Sequence, residues 1–203
     1  MQSVTKHKLE EIARKHQGAI SLLNAKNAGI QTSTIYKLRD AGELVCISRG
    51  VYQFADAGDI PSASPEYLAI KSRIPHGVLC TISALYHYEL TTEIPSFVHL
   101  GISRNNAVPR IDYPPIEIYR MPEEVFSHGV QSLSINGVEM KIFTPEKTLA
   151  DCFKYRNRLG IGVAIEGLKR YLQQSDAKPS AVLAMAKVNR VATVMKPYLE
   201  ALV

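Results

Sequence analysis

Residues 32–39, Thr-Ser-Thr-Ile-Tyr-Lys-Leu-Arg, crowd hydroxyls, a phenol and two cations into about two helical turns. On a helical wheel Ile35, Leu38 and Ala41 fall on one side. Ser33, Tyr36, Lys37 and Asp40 fall opposite, with Arg39 at the flank. A helix with so narrow an apolar stripe exposes its chemistry. The small hydroxyls of Thr32, Ser33 and Thr34 at its start suit close approach to base edges in a DNA groove. Tyr36, Lys37 and Arg39 suit contacts alongside, the two cations reaching phosphates. A second cation, Arg49, sits at the tip Ser48-Arg49-Gly50 between two short apolar runs, where it can reach a backbone or a minor groove. Short trihelical modules also grip proteins, so this face alone leaves two partners open.

Hydrolytic chemistry is less well supplied. Glu139-x-Lys141, with Asp112 upstream, resembles the acid-and-lysine arrangement of some metal-dependent nucleases. Yet a spacing of two on a strand is also that of any solvent-facing row, and no partner acid stands at a convincing distance. Ser83 and His87 are four apart, but no third group is placed and no GxSxG is present. The six histidines (7, 16, 76, 87, 99 and 128) form neither HExxH nor HxH, and the three cysteines (46, 80 and 152) contain no CxxC. No catalytic role, metal or cofactor is expected, and the thiols read as buried and reduced.

The elements that must carry the first constellation follow from periodicity. A one-faced helix over roughly 5–16, capped by Thr5, is followed by a second ending at Gly29. A third, capped by Thr32, ends at Gly42. "ELVCISRGVYQF" then reads as a hairpin, with Val45/Ile47 and Val51/Phe54 flanking the tip. Three helices and a hairpin are the order of a winged helix-turn-helix over 1–55. The stretch 56–64, "DAGDIPSAS", reads as a linker.

Residues 65–203 read as a larger α+β domain with an antiparallel sheet and C-terminal helices. Ser64-Pro65-Glu66 and Thr144-Pro145-Glu146 are matching helix starts. "VLCTISALYHYEL" reads as a helix, or as a short strand at 78–80 leading into one. "FVHLGIS", "IEIYRM", "VQSLSI" and "VEMKIF" are strands, the last two joined by the hairpin turn Asn136-Gly137. "NNAVPRIDYPP" is an exposed loop. Helices then run to the C-terminus, with Pro197 kinking or restarting the last.

The net charge of +5 is unevenly spread. Residues 1–55 carry eight Lys/Arg against four Asp/Glu, 56–150 seven against eleven, and 151–203 nine against four. Basic ends around an acidic middle imply surfaces of different purpose. Lys154, Arg158, Lys169, Arg170, Lys187 and Arg190 can form a second basic face, meeting DNA phosphate, an acidic partner or only solvent. Apolar runs fall well short of a membrane span, and "MQSVTKHKLEEIARKH" has no secretion-signal core, so a cytoplasmic protein without membrane contact is expected.

The segments "AGIQTSTIYKLRDAGELVCISRGVYQF", "ISALYHYELTTEIPSFVHLGISR" and above all "FTPEKTLADCFKYRNRLGIGVAIEGLKRYL" resemble the AbiEi antitoxins of bacterial abortive-infection toxin–antitoxin operons. The likeness extends from about Leu9 to Leu202. It implies an N-terminal winged helix that binds inverted repeats ahead of its operon and represses it. It also implies a C-terminal part that neutralises a nucleotidyltransferase-like toxin, without necessarily forming a stable complex, in a system of phage defence. By position the DNA-reading residues are Thr32, Ser33, Thr34, Tyr36, Lys37, Arg39 and Arg49. The C-terminal signature is Thr144, Glu146, Asp151, Arg156, Asn157 and Glu166. Read from the residues alone, Asp151 and Arg156 can pair with each other or with Arg158 and Glu166, a polar knot orienting two helices. Two half-sites require two copies about one helical turn apart, hence a dimer on DNA. The alternatives are a module that sequesters a protein partner directly and an enzyme acting on nucleic acid.

Overall fold

The computed structural model describes residues 2–60 and 63–202. The chain divides into two compact units. The first comprises residues 1–75, 109–114 and 134–140, and the second comprises 76–108, 115–133 and 141–203. The division differs from the expected linker at 56–64, of which Pro61 and Ser62 lie outside the described residues. The first unit runs on to Pro75 and takes in the next helix, whose Leu68, Ala69 and Ile70 are buried.

In the first unit, α1 (Gln2–Lys15) is followed by β1 (Ile20–Ser21), α2 (Leu22–Asn27) and α3 (Thr32–Asp40). Then come the hairpin β2 (Leu44–Ser48) and β3 (Val51–Phe54), and α4 (Pro65–Arg73). Because α1 already begins at Gln2, Thr5 does not cap it. β1 pairs antiparallel with β3, making a three-stranded sheet ordered β1-β3-β2. A two-residue strand leaves no periodicity to read in the sequence. Ser21 caps α2, its hydroxyl accepting from the Asn24 amide at 3.0 Å. The core gathers Leu9, Ile12, Ala13, Ile20, Ala25, Ile35, Leu44, Tyr52 and Phe54.

The two remaining segments of this unit are tied by polar contacts. The Ser64 amide donates to the Asn136 carbonyl at 2.9 Å, and Lys71 donates to the Glu139 carbonyl at 2.5 Å. Glu66 accepts from both Ser64 (2.5 Å) and the Tyr113 hydroxyl. The Ser64 hydroxyl first, then that of Tyr113, hold the Glu66 carboxyl below its usual range.

The second unit begins with β4 (Val78–Leu79) and α5 (Thr81–His87), the strand-then-helix alternative. There follow β5 (Val98–Ser103), β6 (Ile116–Met121), the short α6 (Glu123–Phe126), β7 (Val130–Ile135) and β8 (Val138–Phe143), of which residues 134–140 belong to the first unit. The five strands are ordered β6-β5-β4-β8-β7. The sheet is mixed rather than antiparallel, because β5/β6 and β4/β8 run parallel while β4/β5 run antiparallel. Alternation of apolar residues shows which faces are buried but not strand direction. The long connection over 104–115 is what allows β6 to return parallel to β5. The Asn136-Gly137 turn forms as expected, with positive φ at both positions (49° and 77°), the geometry that matches strand twist.

Five helices complete the unit: α7 (Pro145–Lys154), α8 (Arg156–Leu159), α9 (Ile161–Leu172), α10 (Pro179–Val188) and α11 (Ala192–Leu202). Leu85, Leu149, Phe153, Leu168, Val182 and Met195 lie at their common core. Gly167 on α9 permits this closeness, since a β-carbon there would meet Leu85 and Leu149 at 3.1 and 3.2 Å.

Candidate nucleic-acid interface

Only Ile35 of α3 is fully buried, with Leu38 half-buried beside it; Thr32, Ser33, Tyr36, Lys37, Arg39 and Asp40 are exposed, and Thr34 is intermediate. The expected division of the helix into an anchoring side and an open side holds except at Ala41, which is exposed. The N-cap is Gln31 rather than Thr32, and it makes no side-chain cap hydrogen bond. The Thr34 amide is satisfied by the Gln31 carbonyl at 3.0 Å. The first turn holds no acidic residue, so the helix start offers amides and hydroxyls to an anion without competition.

The cations on this face are not equivalent. Arg39 lies over the Tyr36 ring, 5.1 Å from its centroid, and donates to Asp40 Oδ1 through Nε (2.9 Å) and Nη2 (2.8 Å). That hydrogen bond, and then the Asp40 charge, raise the Arg39 pKa further above its already high value. Its guanidinium is thus engaged, though in water, by Asp40. Lys37 and Arg49 are exposed and form no ion pair among the described residues. They are the two cations of the predicted set left free for phosphate.

The wing forms where expected, with Arg49-Gly50 at its turn and Gly50 at φ 80°. Its faces differ in detail. A bulge between Cys46 and Ser48 shifts the register, so Leu44 and Ile47 are buried while Val45 is exposed. Cys46 is exposed as well, against the expectation of buried thiols; Cys80 and Cys152 are buried, and burial pushes both their pKa values up. Two cations missed by sequence reasoning, Arg73 and Arg110, join Arg49 around a shallow cavity of about 280 Å³. Arg110 is paired with Asp112 at 3.1 Å. No pattern joins residues 49, 73 and 110; only the return of segment 109–114 to this unit does.

The acidic and nucleophilic candidates are separated. Glu139 is exposed, its amide donating to the Gln17 side-chain oxygen at 3.0 Å, and Asp112 is taken by Arg110. Ser83 is buried and bonds the backbone of Phe97 and His99, while His87 is exposed; the two do not meet. Among the described residues no group of His, Cys, Asp or Glu is arranged to hold a metal.

Half of the C-terminal signature residues tie helices together within the second unit. Thr144 caps α7, its hydroxyl accepting from the Lys147 amide at 3.4 Å. Glu146 accepts from the Tyr171 hydroxyl at 2.7 Å; burial first, and this bond second, push the Tyr171 pKa up to about 12. Glu166 accepts from Thr91, from the Thr92 amide and hydroxyl, and from Arg170. Burial works against its charge, but these donors together outweigh it and hold the carboxyl below its usual range. Arg156 donates to the Phe153 carbonyl at 2.9 Å, and Asn157 is exposed. Asp151 does not pair with Arg156, Arg158 or Glu166. It accepts from Lys147 at 2.5 Å and from Asn189 at 2.7 Å, all three buried. Lys147 is one helical turn before Asp151, and a lysine inside a helix pattern reads as exposed, so its burial was not foreseen. Arg158 instead meets Glu117 at 2.5 Å.

The three-helix unit with its Arg-tipped hairpin is a winged helix-turn-helix, in an α+β protein of two units. Residues 7–55 match the family described as transcriptional regulator, AbiEi antitoxin, and the resemblance is borne out over that segment. The crystal structure of the RV2827C protein from Mycobacterium tuberculosis has a similar fold. Its TM-score is 0.61 at 13% identity, covering 97% of this chain and 81% of that one. No curated protein matches the sequence. No described helix is long and apolar enough to cross a membrane.

Proposed function

We propose that this protein is an antitoxin and autorepressor, binding inverted-repeat operator DNA through α3 and the wing. The observation that carries the reading is the open face of α3, with Lys37, beside a wing whose tip presents Arg49, neither cation in an ion pair among the described residues. The hydroxyls of Thr32, Ser33 and Thr34 and the phenol of Tyr36 enter the major groove. Lys37 contacts phosphate there, and Arg49 does so from the wing. Two copies occupy the two half-sites. Repression follows from occupancy of the promoter, and the second unit neutralises a nucleotidyltransferase-like toxin encoded beside it.

Electrophoretic mobility shift on the protein's own promoter fragment tests the DNA reading. The full chain shifts the inverted repeat. Lys37→Ala and Arg49→Ala each weaken binding and each lower the salt slope by about one. Binding unchanged in both variants removes this contact assignment. Co-expression with the adjacent toxin tests the second half: the wild-type chain restores growth, and a chain that binds its operator but fails to restore growth separates the two activities.

A further inference from the structure

The second unit contains a cavity of about 800 Å³ between the β6 end of the sheet and the ends of α7 and α10. Arg104, Arg120, Lys154 and Arg190 line it, all exposed, against a single exposed carboxylate, Glu124. None of the four cations forms an ion pair among the described residues. Lys154 and Arg190 belong to the basic cluster of the C-terminal helices, whereas Arg104 and Arg120 arrive from the sheet.

Asp151 and Asn189 line the same cavity, although they are only 1% and 3% exposed. Asp151 Oδ1 takes both the Lys147 ammonium and the Asn189 amide. Asp151 Oδ2 and Asn189 Oδ1 have no partner among the described residues. Two adjacent unsatisfied acceptors beneath a ring of cations are unusual in a packed protein, where nearly every buried polar atom is paired. The arrangement asks for a ligand that offers hydrogen-bond donors at one end and negative charge at the other. Inorganic phosphate carries its charge and its hydroxyl on one small group and cannot meet both ends at once, and a duplex backbone offers charge without donors. A metal ion fits poorly, because the carboxylate is already held by an ammonium group. Tyr155 and Val188 supply ring and apolar surface on the wall.

We propose that this cavity binds a free nucleoside phosphate, its phosphates on Arg104, Arg120, Lys154 and Arg190 and donor groups of its sugar or base on Asp151 Oδ2 and Asn189 Oδ1. The inference is independent of operator binding by the first unit. Equilibrium dialysis of the full chain tests it. The probes are the four common ribonucleoside mono- and triphosphates, an unphosphorylated nucleoside, inorganic phosphate and a short oligoribonucleotide. At least one nucleotide binds one per chain, roughly tenfold or more tighter than nucleoside or inorganic phosphate. Lys154→Ala and Arg190→Ala, both at exposed positions, each weaken it about tenfold while leaving circular dichroism unchanged. Asn189→Leu, which removes the floor acceptor without adding charge, lowers nucleotide affinity while leaving inorganic phosphate binding unaltered. Absence of nucleotide binding at millimolar concentration overturns the proposal. So does inorganic phosphate binding as tightly as nucleotide, binding indifferent to both rim variants, or binding confined to the oligoribonucleotide.

Discussion

In the first unit, α3 buries one side chain completely, Ile35, and leaves its hydroxyls, phenol and cations to solvent. In the second, α7 buries every residue from Lys147 to Phe153, a lysine and an aspartate among them. The two helices are of similar length and carry comparable polar chemistry. On α3 a cation lies in water and its charge is available to a partner. On α7 the cation is spent within the protein, where removing either charge leaves the other stranded in a medium that cannot solvate it. Polar residue type therefore says little about role until burial is known.

The sharpest way to break that contrast is to truncate one lysine from each helix. Lys147→Ala leaves Asp151 buried without its ion-pair partner and should destabilise the protein by about 3–5 kcal/mol. Lys37→Ala, on an open surface, should change stability by less than about 0.5 kcal/mol. Urea denaturation followed by circular dichroism reads both. The double replacement Lys147→Met with Asp151→Leu removes both charges and should recover most of the loss. Equal, small effects of the two alanine substitutions would mean that the buried pair is solvated in solution, and the contrast would fail.

That asymmetry also explains what the sequence made legible. Ile35, Leu38 and the flanking Gly29 and Gly42 lie within a few residues of each other, so α3, its exposed side and the wing could be placed from spacing. The Asn136-Gly137 hairpin and the proline-headed starts of α4 and α7 are equally local signals. The Lys147–Asp151–Asn189 cluster joins α7 to the end of α10, and the four cations of the neighbouring cavity come from four separate elements. No local pattern reports such meetings. Strand direction escaped for the same reason: β5 and β6 look alike whether they run parallel or antiparallel. The two-residue strands β1 and β4 are too short for any period to show.

A second, smaller effect probes the sheet of the second unit. Gly101 in β5 lies where an added β-carbon would meet Phe143 Cε2 at 2.7 Å and Met121 Cε at 3.3 Å. Gly101→Ala therefore overpacks the junction of β5, β6 and β8 and should cost about 1–3 kcal/mol, measured by the same denaturation. An alanine at Gly162, where no atom stands within 4 Å of the added carbon, makes the matched control and should not destabilise.

The buried histidine of the second unit gives the contrast a pH signature. His99 Nδ1 lies 2.9 Å from the Thr81 hydroxyl and 3.1 Å from that of Tyr119, and its ring stacks on Tyr119. Burial lowers its pKa, Glu117 partly opposes the shift and Arg158 adds to it. The unfolded chain takes up this proton near 6.5 while the folded protein resists it, so stability is full above 6.5 and falls as the pH drops towards the lowered folded value. His87, whose pKa burial also lowers, contributes with the same sign. Thermal unfolding between neutral and mildly acid pH should show the midpoint falling. His87→Gln should remove only part of the slope; a midpoint that rises on acidification would contradict the burial of His99.

The finest test returns to α3 and asks how far Arg39 is already committed. Its guanidinium is held by Asp40 on one side and stacked on Tyr36 below, so phosphate must compete with a carboxylate that sits in water. Such exposed pairs are weak, and releasing Arg39 adds one available cation without altering the helix core. Asp40→Asn should therefore raise operator affinity roughly two- to fivefold at low salt. It should also steepen the salt dependence, because one more counterion is displaced on binding. Combining it with Arg39→Ala should abolish the gain, which separates release of the guanidinium from the simple loss of a negative charge near DNA. A gain that persists in the double variant would assign the effect to long-range repulsion by Asp40, and Arg39 would leave the set of phosphate contacts, with Lys37 and Arg49 remaining.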